Sequence, residues 1–457
     1  MNPPVSHHKP VARPRSEFAV TARLALPIAL GLAGHGFMTT LDAAFLGRHS
    51  TEALAGCGLG TNLHLPVLLI GYGMVTGVSV LSAQGRGAGD TCAGARTLRA
   101  GLVLAAVFGL GGALALQAAV SAGVNGLFAM SEGVKSQADA FLLALAWSTP
   151  FSVLFQALKN HAESHGRPWR ALLWLVSGLG LNAALCGVLV FGAFGLPAMG
   201  AAGAGLATLA GRVLMLAGMA WQERDALRAA FSAEAKGGLR AMTAFGVPCA
   251  LHLTAEVGVF ALAPLMVGRW FGAESLGAHQ IAVGVAGLAF MLPLGIAQAA
   301  GIRVGEAFGA RDAERLRRIG DGARNFALAF MGVYAAFMVC AHNAIPTLFT
   351  GAGGSPETNA IAARLLLVAA AFALADGVQV TLSGALRGLG DARFTSAMGL
   401  LGYWGVGLPA GVLLAFPAGW QVTGIWIGLA VGLCFAAAAF SWRWRVLTAR
   451  YAKEFSA

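Results

Sequence analysis

Charge is scarce in this chain. Of its 457 residues only 11% are charged, against about a quarter in an ordinary soluble domain, which excludes a water-exposed globular protein. Cysteine offers no framework either. The six cysteines (57, 92, 186, 249, 340 and 434) are scattered with no Cys-x-x-Cys, so neither a disulfide scaffold nor a structural zinc site is indicated. Neither Asp-x-x-x-Asp nor Asp-Asp-x-x-Asp occurs, although an integral-membrane transferase would need such carboxylates to hold magnesium on a diphosphate. No polar stretch is long enough for a soluble catalytic domain. These absences predict a protein that is not an enzyme, works within the membrane and has no cofactor.

What the chain has instead is apolar length. Hydrophobic residues make up 57% and the mean hydropathy is +0.71. A hydrocarbon core about 30 Å thick takes about 20 residues of helix. On that measure twelve transmembrane helices are expected, at 24–46, 53–82, 100–122, 138–157, 170–192, 200–221, 241–268, 276–302, 325–348, 361–386, 394–416 and 422–443. The fold class is therefore an all-α membrane protein. The net charge of +11 is a matter of placement. All but five of the 31 Lys and Arg residues fall on one side of this topology. Arg48, Lys135 and Arg269 lie in the opposite loops, and Arg212 and Arg364 lie within spans. The positive-inside rule then puts both termini of a multi-pass protein in the cytoplasm and removes nucleic acid as a reason for the basic excess. Membrane lipid is the expected surrounding and a monomer the expected state.

The chain also repeats. Pro27 and Pro248 each follow a short helical start, and Leu46-Gly47-Arg48 is matched by Val267-Gly268-Arg269. Gln84 pairs with Glu306, Gly87 with Gly309 and Asp90 with Asp312. Six helices followed by six in the same orientation form a parallel repeat, the plan of transporters whose two lobes rock about a central cleft. The expected organisation is a basic tail at 1–23, an N-lobe at 24–221, a cytoplasmic linker at 222–240, a C-lobe at 241–443 and a tail at 444–457. Arg303, Glu306 and Arg315 read as topology determinants on the cytoplasmic side.

Acids inside the spans are few and informative, because a charge at mid-membrane is unfavourable by about 2.5–3.5 kcal/mol. Glu256 and Asp376 lie near mid-span, and Asp42 lies nearer the outer end of the first helix, where pairing with Arg48 is the plain alternative. Phe372, Gln379, Ser383 and Arg387 share the helix face of Asp376, and His252 and Phe260 share that of Glu256. His35 falls two turns before Asp42 and matches Glu256 in the repeat. Each pattern has a purely structural reading as a hydrogen-bonded packing face. The functional reading is a wet cleft in which a carboxylate exchanges a proton or Na+ for a cationic substrate, Na+ being held at Glu256 and Asp376.

At this point the motifs have a family likeness. Ser275-Leu-Gly-Ala-His279-Gln280, Gly301-Ile-Arg303-Val-Gly305-Glu306, Asp376-Gly-Val-Gln379, Gly384-Ala-Leu-Arg387-Gly-Leu-Gly-Asp391 and Tyr403-Trp404-Gly-Val-Gly-Leu-Pro409 resemble those of MATE multidrug efflux transporters of the NorM-like branch. The likeness runs over about 18–445. It implies a two-lobed antiporter that exports amphipathic organic cations, drugs and dyes, against an inward flow of H+ or Na+. It also implies that Glu256 and Asp376 form the C-lobe cation site and that Asp42 belongs to the N-lobe site. His35, Asn182, Gln280, Phe372 and Gln379 stand as supporting cavity residues. Two positions depart from the family pattern. Phe372 stands where some sodium-coupled relatives have tyrosine, and Cys186 follows Asn182 where a second acid is found in others. A lipid-linked precursor flippase of a related two-lobed fold is the alternative, but Arg212 and Arg364 read as too few and too peripheral for its phosphates.

Overall fold

The computed structural model describes residues 17–124, 131–232, 237–351 and 353–456, all of whose regular elements are helices. The first half comprises α1 (Glu17–His49), α2 (Thr51–Val75), α3 (Gly77–Gly87), α4 (Ala93–Ser121), α5 (Glu132–Ser164), α6 (Pro168–Leu189) and α7 (Gly200–Gln222). The short α8 (Arg224–Ala230) follows. The second half comprises α9 (Leu239–Gly309), α10 (Ala313–Ala341), α11 (Ala344–Thr350), α12 (Pro356–Gly388), α13 (Ala392–Leu400), a π-helical segment (Leu401–Gly407), α14 (Leu408–Ala415) and α15 (Gln421–Ser456).

Eleven helical runs among the described residues are long and apolar enough to cross a membrane. One of them, α9, has 71 residues, about 107 Å as a straight rod, far more than one crossing needs. It breaks at Gly272, where φ is 82° and ψ −179°, a conformation open in practice only to glycine. The two arms of α9 make the seventh and eighth crossings, so the twelve expected helices are present.

The helices are longer than the apolar runs. The expected span 138–157 is the middle of α5, which reaches Ser164 because Lys159 and Glu163 pair at 3.0 Å inside the protein. The expected tail at 1–23 overlaps α1, which starts at Glu17; residues 1–16 lie outside the described residues. The linker contains α8, whose Ala230 is buried against the N-lobe core. The C-terminal tail is helical to Ser456, anchored by buried Trp444, whose indole N–H donates to Asp321 at 3.1 Å.

Helices α1–α7 pack chiefly on one another, as do α9–α15, giving two lobes. The seam between them runs through α9, which also lies against α1, α2 and α3. Its closest point is reciprocal. A Cβ on Gly87 would stand 2.0 Å from the Glu306 carbonyl oxygen, and one on Gly309 would stand 1.9 Å from that of Gln84. The repeat pairs these same residues, so the lobes meet across a pseudo-twofold axis with each side presenting the equivalent patch. Only glycine allows such backbone approach.

Ion pairs close around this contact. Arg86 binds Glu306 at 2.7 Å, and Arg315 reaches Glu306 at 3.3 Å and Glu17 at 3.7 Å. Arg303 binds the Glu17 carboxylate and the Thr21 hydroxyl, and Gln84 donates to the Gly388 carbonyl at 2.8 Å. Arg303, Glu306 and Arg315 are thus more than topology determinants: they tie one lobe to the other at the basic end of the molecule. Toward the opposite end, Cβ atoms added at Gly36, Gly58, Gly284 or Gly287 would meet nothing within 4 Å.

Replacing Gly309 by Val forces a branched side chain onto the Gln84 carbonyl, an overpacking of about 1–3 kcal/mol against the closed seam. A single cysteine placed at Gln298 in a cysteine-free background is expected to react faster with an impermeant maleimide from the basic end in Gly309→Val than in the parent; equal rates would contradict a glycine-dependent closure.

Candidate functional site

The C-lobe carboxylates are assembled by three crossings. The first arm of α9 carries Glu256, α12 carries Asp376, and the π segment carries Tyr403. An extra residue per turn widens the helix at the π segment and turns Tyr403 and Trp404 toward α9. The Tyr403 hydroxyl donates to Glu256 Oε1 at 2.9 Å, and the Trp404 indole donates to the Ala255 carbonyl at 2.9 Å. The segment is seated by α15, whose Gly424, Gly428 and Gly432 repeat at four-residue intervals. A Cβ on Gly432 would stand 2.4 Å from the Gly402 carbonyl oxygen of the segment, and one on Gly428 2.1 Å from the Gly411 nitrogen of α14, so the helices meet backbone to backbone.

His252 approaches Glu256 at 3.8 Å, one turn away on the same helix. Asp376 forms no ion pair among the described residues, and α12 carries it on the C-lobe side with Glu256 of α9. Gln379 sits beside the Tyr403 hydroxyl. Both acids are partly buried rather than sealed. Phe372 packs tilted toward Trp426, with ring centroids 6.2 Å apart, and also lies against the apolar cluster that contains Tyr403. Gln280 is exposed.

The N-lobe acid is held differently. Asp42 is 2% exposed. Its Oδ1 accepts from Asn182 Nδ2 at 2.9 Å and from the Cys186 thiol at 3.4 Å, and its Oδ2 accepts from Thr208 Oγ1 at 2.6 Å. Donors from α6 and α7 thus satisfy a carboxylate on α1, and Arg48 takes no part in an ion pair with it. Thr208 was not apparent from the sequence, since a threonine in an apolar span carries no signal of its own. Arg212, one turn on, is buried and donates to Ser148 at 2.7 Å. Beside it α5 offers Thr149 to His64 at 3.0 Å and Ser152 to Tyr72 at 2.7 Å.

Between the lobes lies a cavity of about 500 Å³, bordered by His35, Tyr72, Gln156, Arg212, Gln298 and Arg387 among others. It is lined by α1, α2, α3, α5 and α7 from one lobe and by α9 and α12 from the other. Of the expected residues, the structure brings His35 to this cavity, joins Asn182 to Asp42, and places Gln379 beside Tyr403.

With this geometry in hand, comparison with known proteins is decisive. The MatE family model matches residues 27–188 and again 248–413, two copies that start at the paired prolines Pro27 and Pro248. The chain belongs to the MATE family. It is 36% identical over 444 residues to "Probable multidrug resistance protein NorM" of Bradyrhizobium diazoefficiens, covering 95% of this chain and 94% of that one. "Multidrug resistance protein NorM" of Burkholderia vietnamiensis is 34% identical, covering 94% of each. The fold matches a crystal structure of MATE in the bent conformation with a TM-score of 0.86 at 20% identity, over 97% of this chain and 98% of that one. It matches an outward-facing multidrug resistance MATE family transporter with a TM-score of 0.85 at 19% identity, over 96% and 97%. This MATE chain is accordingly a multi-span membrane transporter and not an enzyme.

The Asp42 cluster yields a graded expectation. Thr208→Val keeps the side-chain shape but removes the shortest donor to a buried carboxylate, a loss of about 1–3 kcal/mol. Cys186→Ala removes only a weak thiol donor. Thermal unfolding in detergent should show a clearly lower Tm for Thr208→Val than for Cys186→Ala. An equal effect would mean that Asp42 does not depend on these hydrogen bonds.

Proposed function

We propose that this protein is a cation-coupled antiporter that exports amphipathic organic cations across the bacterial inner membrane by alternating access. The observation that carries the reading is the C-lobe pair: Glu256 and Asp376, two partly buried carboxylates at mid-membrane depth with no Lys or Arg ion-pair partner among the described residues. A charge so placed is unfavourable unless a mobile cation answers it. One site that a proton or sodium ion and a cationic cargo occupy in turn gives exchange by competition, and each occupant stabilises the lobe arrangement it contacts best. The multidrug resistance assignments of the NorM relatives support a small-molecule cargo.

The two lobes, 24–221 and 241–443, would rock about the seam at Gly87 and Gly309, with the termini and the basic end in the cytoplasm. Asp42, with Asn182 and Thr208, serves as the N-lobe counterpart, and the working unit is a monomer. A cavity of about 500 Å³ falls within the size range of drug-like ligand sites, which favours this reading over a flippase for lipid-linked precursors.

Efflux of a cationic dye from energised cells should fall to background in Glu256→Gln and in Asp376→Asn with membrane expression unchanged, and normal pumping by both would refute the mechanism. In inverted vesicles, a sodium gradient and a pH gradient imposed separately identify the coupling ion by which one drives dye uptake.

A further inference from the structure

Beside the central cavity, at the basic end of the molecule, a crevice of about 610 Å³ opens between the lobes. None of Asp42, Glu256 and Asp376 borders it, and it shares Glu163 and Ile302 with the cavity wall. Four arginines line it: Arg23 of α1 and Arg86 of α3 from one lobe, Arg303 of α9 and Arg315 of α10 from the other. Their acidic partners are fewer. Arg86 pairs with Glu306 at 2.7 Å, and Arg315 reaches Glu306 at 3.3 Å and Glu17 at 3.7 Å. Arg303 binds Glu17, and the remaining lining acid, Glu163, is held by Lys159 at 3.0 Å. Five cations thus stand against three carboxylates. Arg303 is buried in the seam, but the Arg86 and Arg315 side chains are 36% and 33% exposed. Arg23 is exposed and joins no ion pair among the described residues.

The same crevice has an apolar side. Val20, Leu24, Leu26 and Trp169 line it. Arg23 and Trp169 each stand one residue before an expected span, 24–46 and 170–192, at the depth of lipid headgroups, where indole rings gather and long basic side chains reach outward. Leu26 and Trp169 are exposed, and one turn further along α1 and α6 so are Leu30 and Leu173. The two helices touch, since a Cβ on Gly34 would stand 2.3 Å from Leu175. Adjacent apolar stripes therefore lead from the arginines into the hydrocarbon. The first turn of α6, which no side chain caps, lies at the same rim and adds backbone N–H groups that favour an anion. A free anion has no use for the stripes, whereas a phosphate that carries acyl chains fits both parts. Basic pockets between transmembrane helices bind anionic headgroups in this way. We propose that this crevice binds one anionic phospholipid from the leaflet on the basic side, its phosphate among Arg23, Arg86 and Arg315 and its chains along α1 and α6. Because these arginines come from both lobes, the lipid binds the closed seam better than the separated lobes and so favours closure at the basic end. The site is independent of the cargo and of the coupling ion.

The test titrates the full-length chain, purified in detergent, with phosphatidylglycerol or phosphatidylcholine and counts bound lipid by native mass spectrometry. One phosphatidylglycerol should bind in preference to phosphatidylcholine. Arg23→Gln should weaken it about fivefold, the loss of one cation near an anionic headgroup, and Arg23→Lys should retain most of the affinity. Arg445→Gln, which removes an exposed cation of α15 outside the crevice, should leave binding unchanged. Equal affinity for the two lipids in the wild type overturns the proposal. So does an equal loss in Arg23→Gln and Arg445→Gln, the mark of a diffuse field rather than a site. Millimolar inorganic phosphate should fail to displace the lipid, and displacement would make this a soluble-anion site and overturn the lipid assignment. Closure is read in proteoliposomes with the basic end outward. There Gln298→Cys, in a cysteine-free background, should react more slowly with an impermeant maleimide when phosphatidylglycerol replaces phosphatidylcholine. Adding Arg23→Gln should remove that difference, and equal rates in the two lipids without it overturn the link to closure.

Discussion

The structure depends on one close approach. At Gly87 and Gly309 the backbones of α3 and the second arm of α9 come nearer than any side chain allows. Everything that joins the lobes is arranged around that point. In a hydrocarbon surrounding there is little hydrophobic reward for packing one apolar helix on another, so van der Waals contact and satisfied polar groups must do the joining. Here both are present: a glycine contact that repeats across the pseudo-twofold axis, and a chain of ion pairs through Arg86, Glu306, Arg315, Glu17 and Arg303 at the basic end. A seam built from small residues and reversible ion pairs is firm without being permanent. That is the mechanical requirement for a hinge.

Much of this architecture was legible in the sequence, for a simple reason. The bilayer imposes a length and forbids unsatisfied backbone, so apolar runs convert almost directly into helices. The repeat was readable because Pro27 and Pro248, or Gly87 and Gly309, occupy positions with a fixed geometric duty. The ends of the helices were less legible. Hydropathy treats Lys159 and Glu163 as a sign that the membrane has ended, yet the two cancel one another within the protein and α5 continues. Glu17 was likewise assigned to a tail, whereas its partner Arg303 lies 286 positions away. Pairing between remote residues leaves no local pattern.

The same distinction runs through the candidate sites. Mid-span acids announce themselves, since a charge at that depth is unfavourable, so Glu256, Asp376 and Asp42 stood out. The groups that hold them did not. Thr208 and Tyr403 become meaningful only once α7 and the π segment carry them to Asp42 and Glu256. Phe372 shows the converse: one turn from Asp376 along the helix, its ring also meets Trp426 and the cluster around Tyr403, contacts that no spacing foretold. Helical spacing fixes which residues share a face and says nothing of what faces them.

The two kinds of charge are separated by depth within each lobe. Asp42 lies off the cavity lining, wrapped in hydrogen-bond donors, and Arg212 and Arg387 stand at the cavity edge. Arg212 makes this concrete: it is one turn from Thr208, which serves Asp42, yet its own side chain borders the cavity between the lobes. In low dielectric a proton or metal cation arriving behind the cavity changes the field at Arg212 and Arg387 without touching either, because the interaction is weakly screened there. Under the proposed exchange, competition at the carboxylates would also alter the positive field at the cavity wall, with the glycine seam leaving the lobes free to follow.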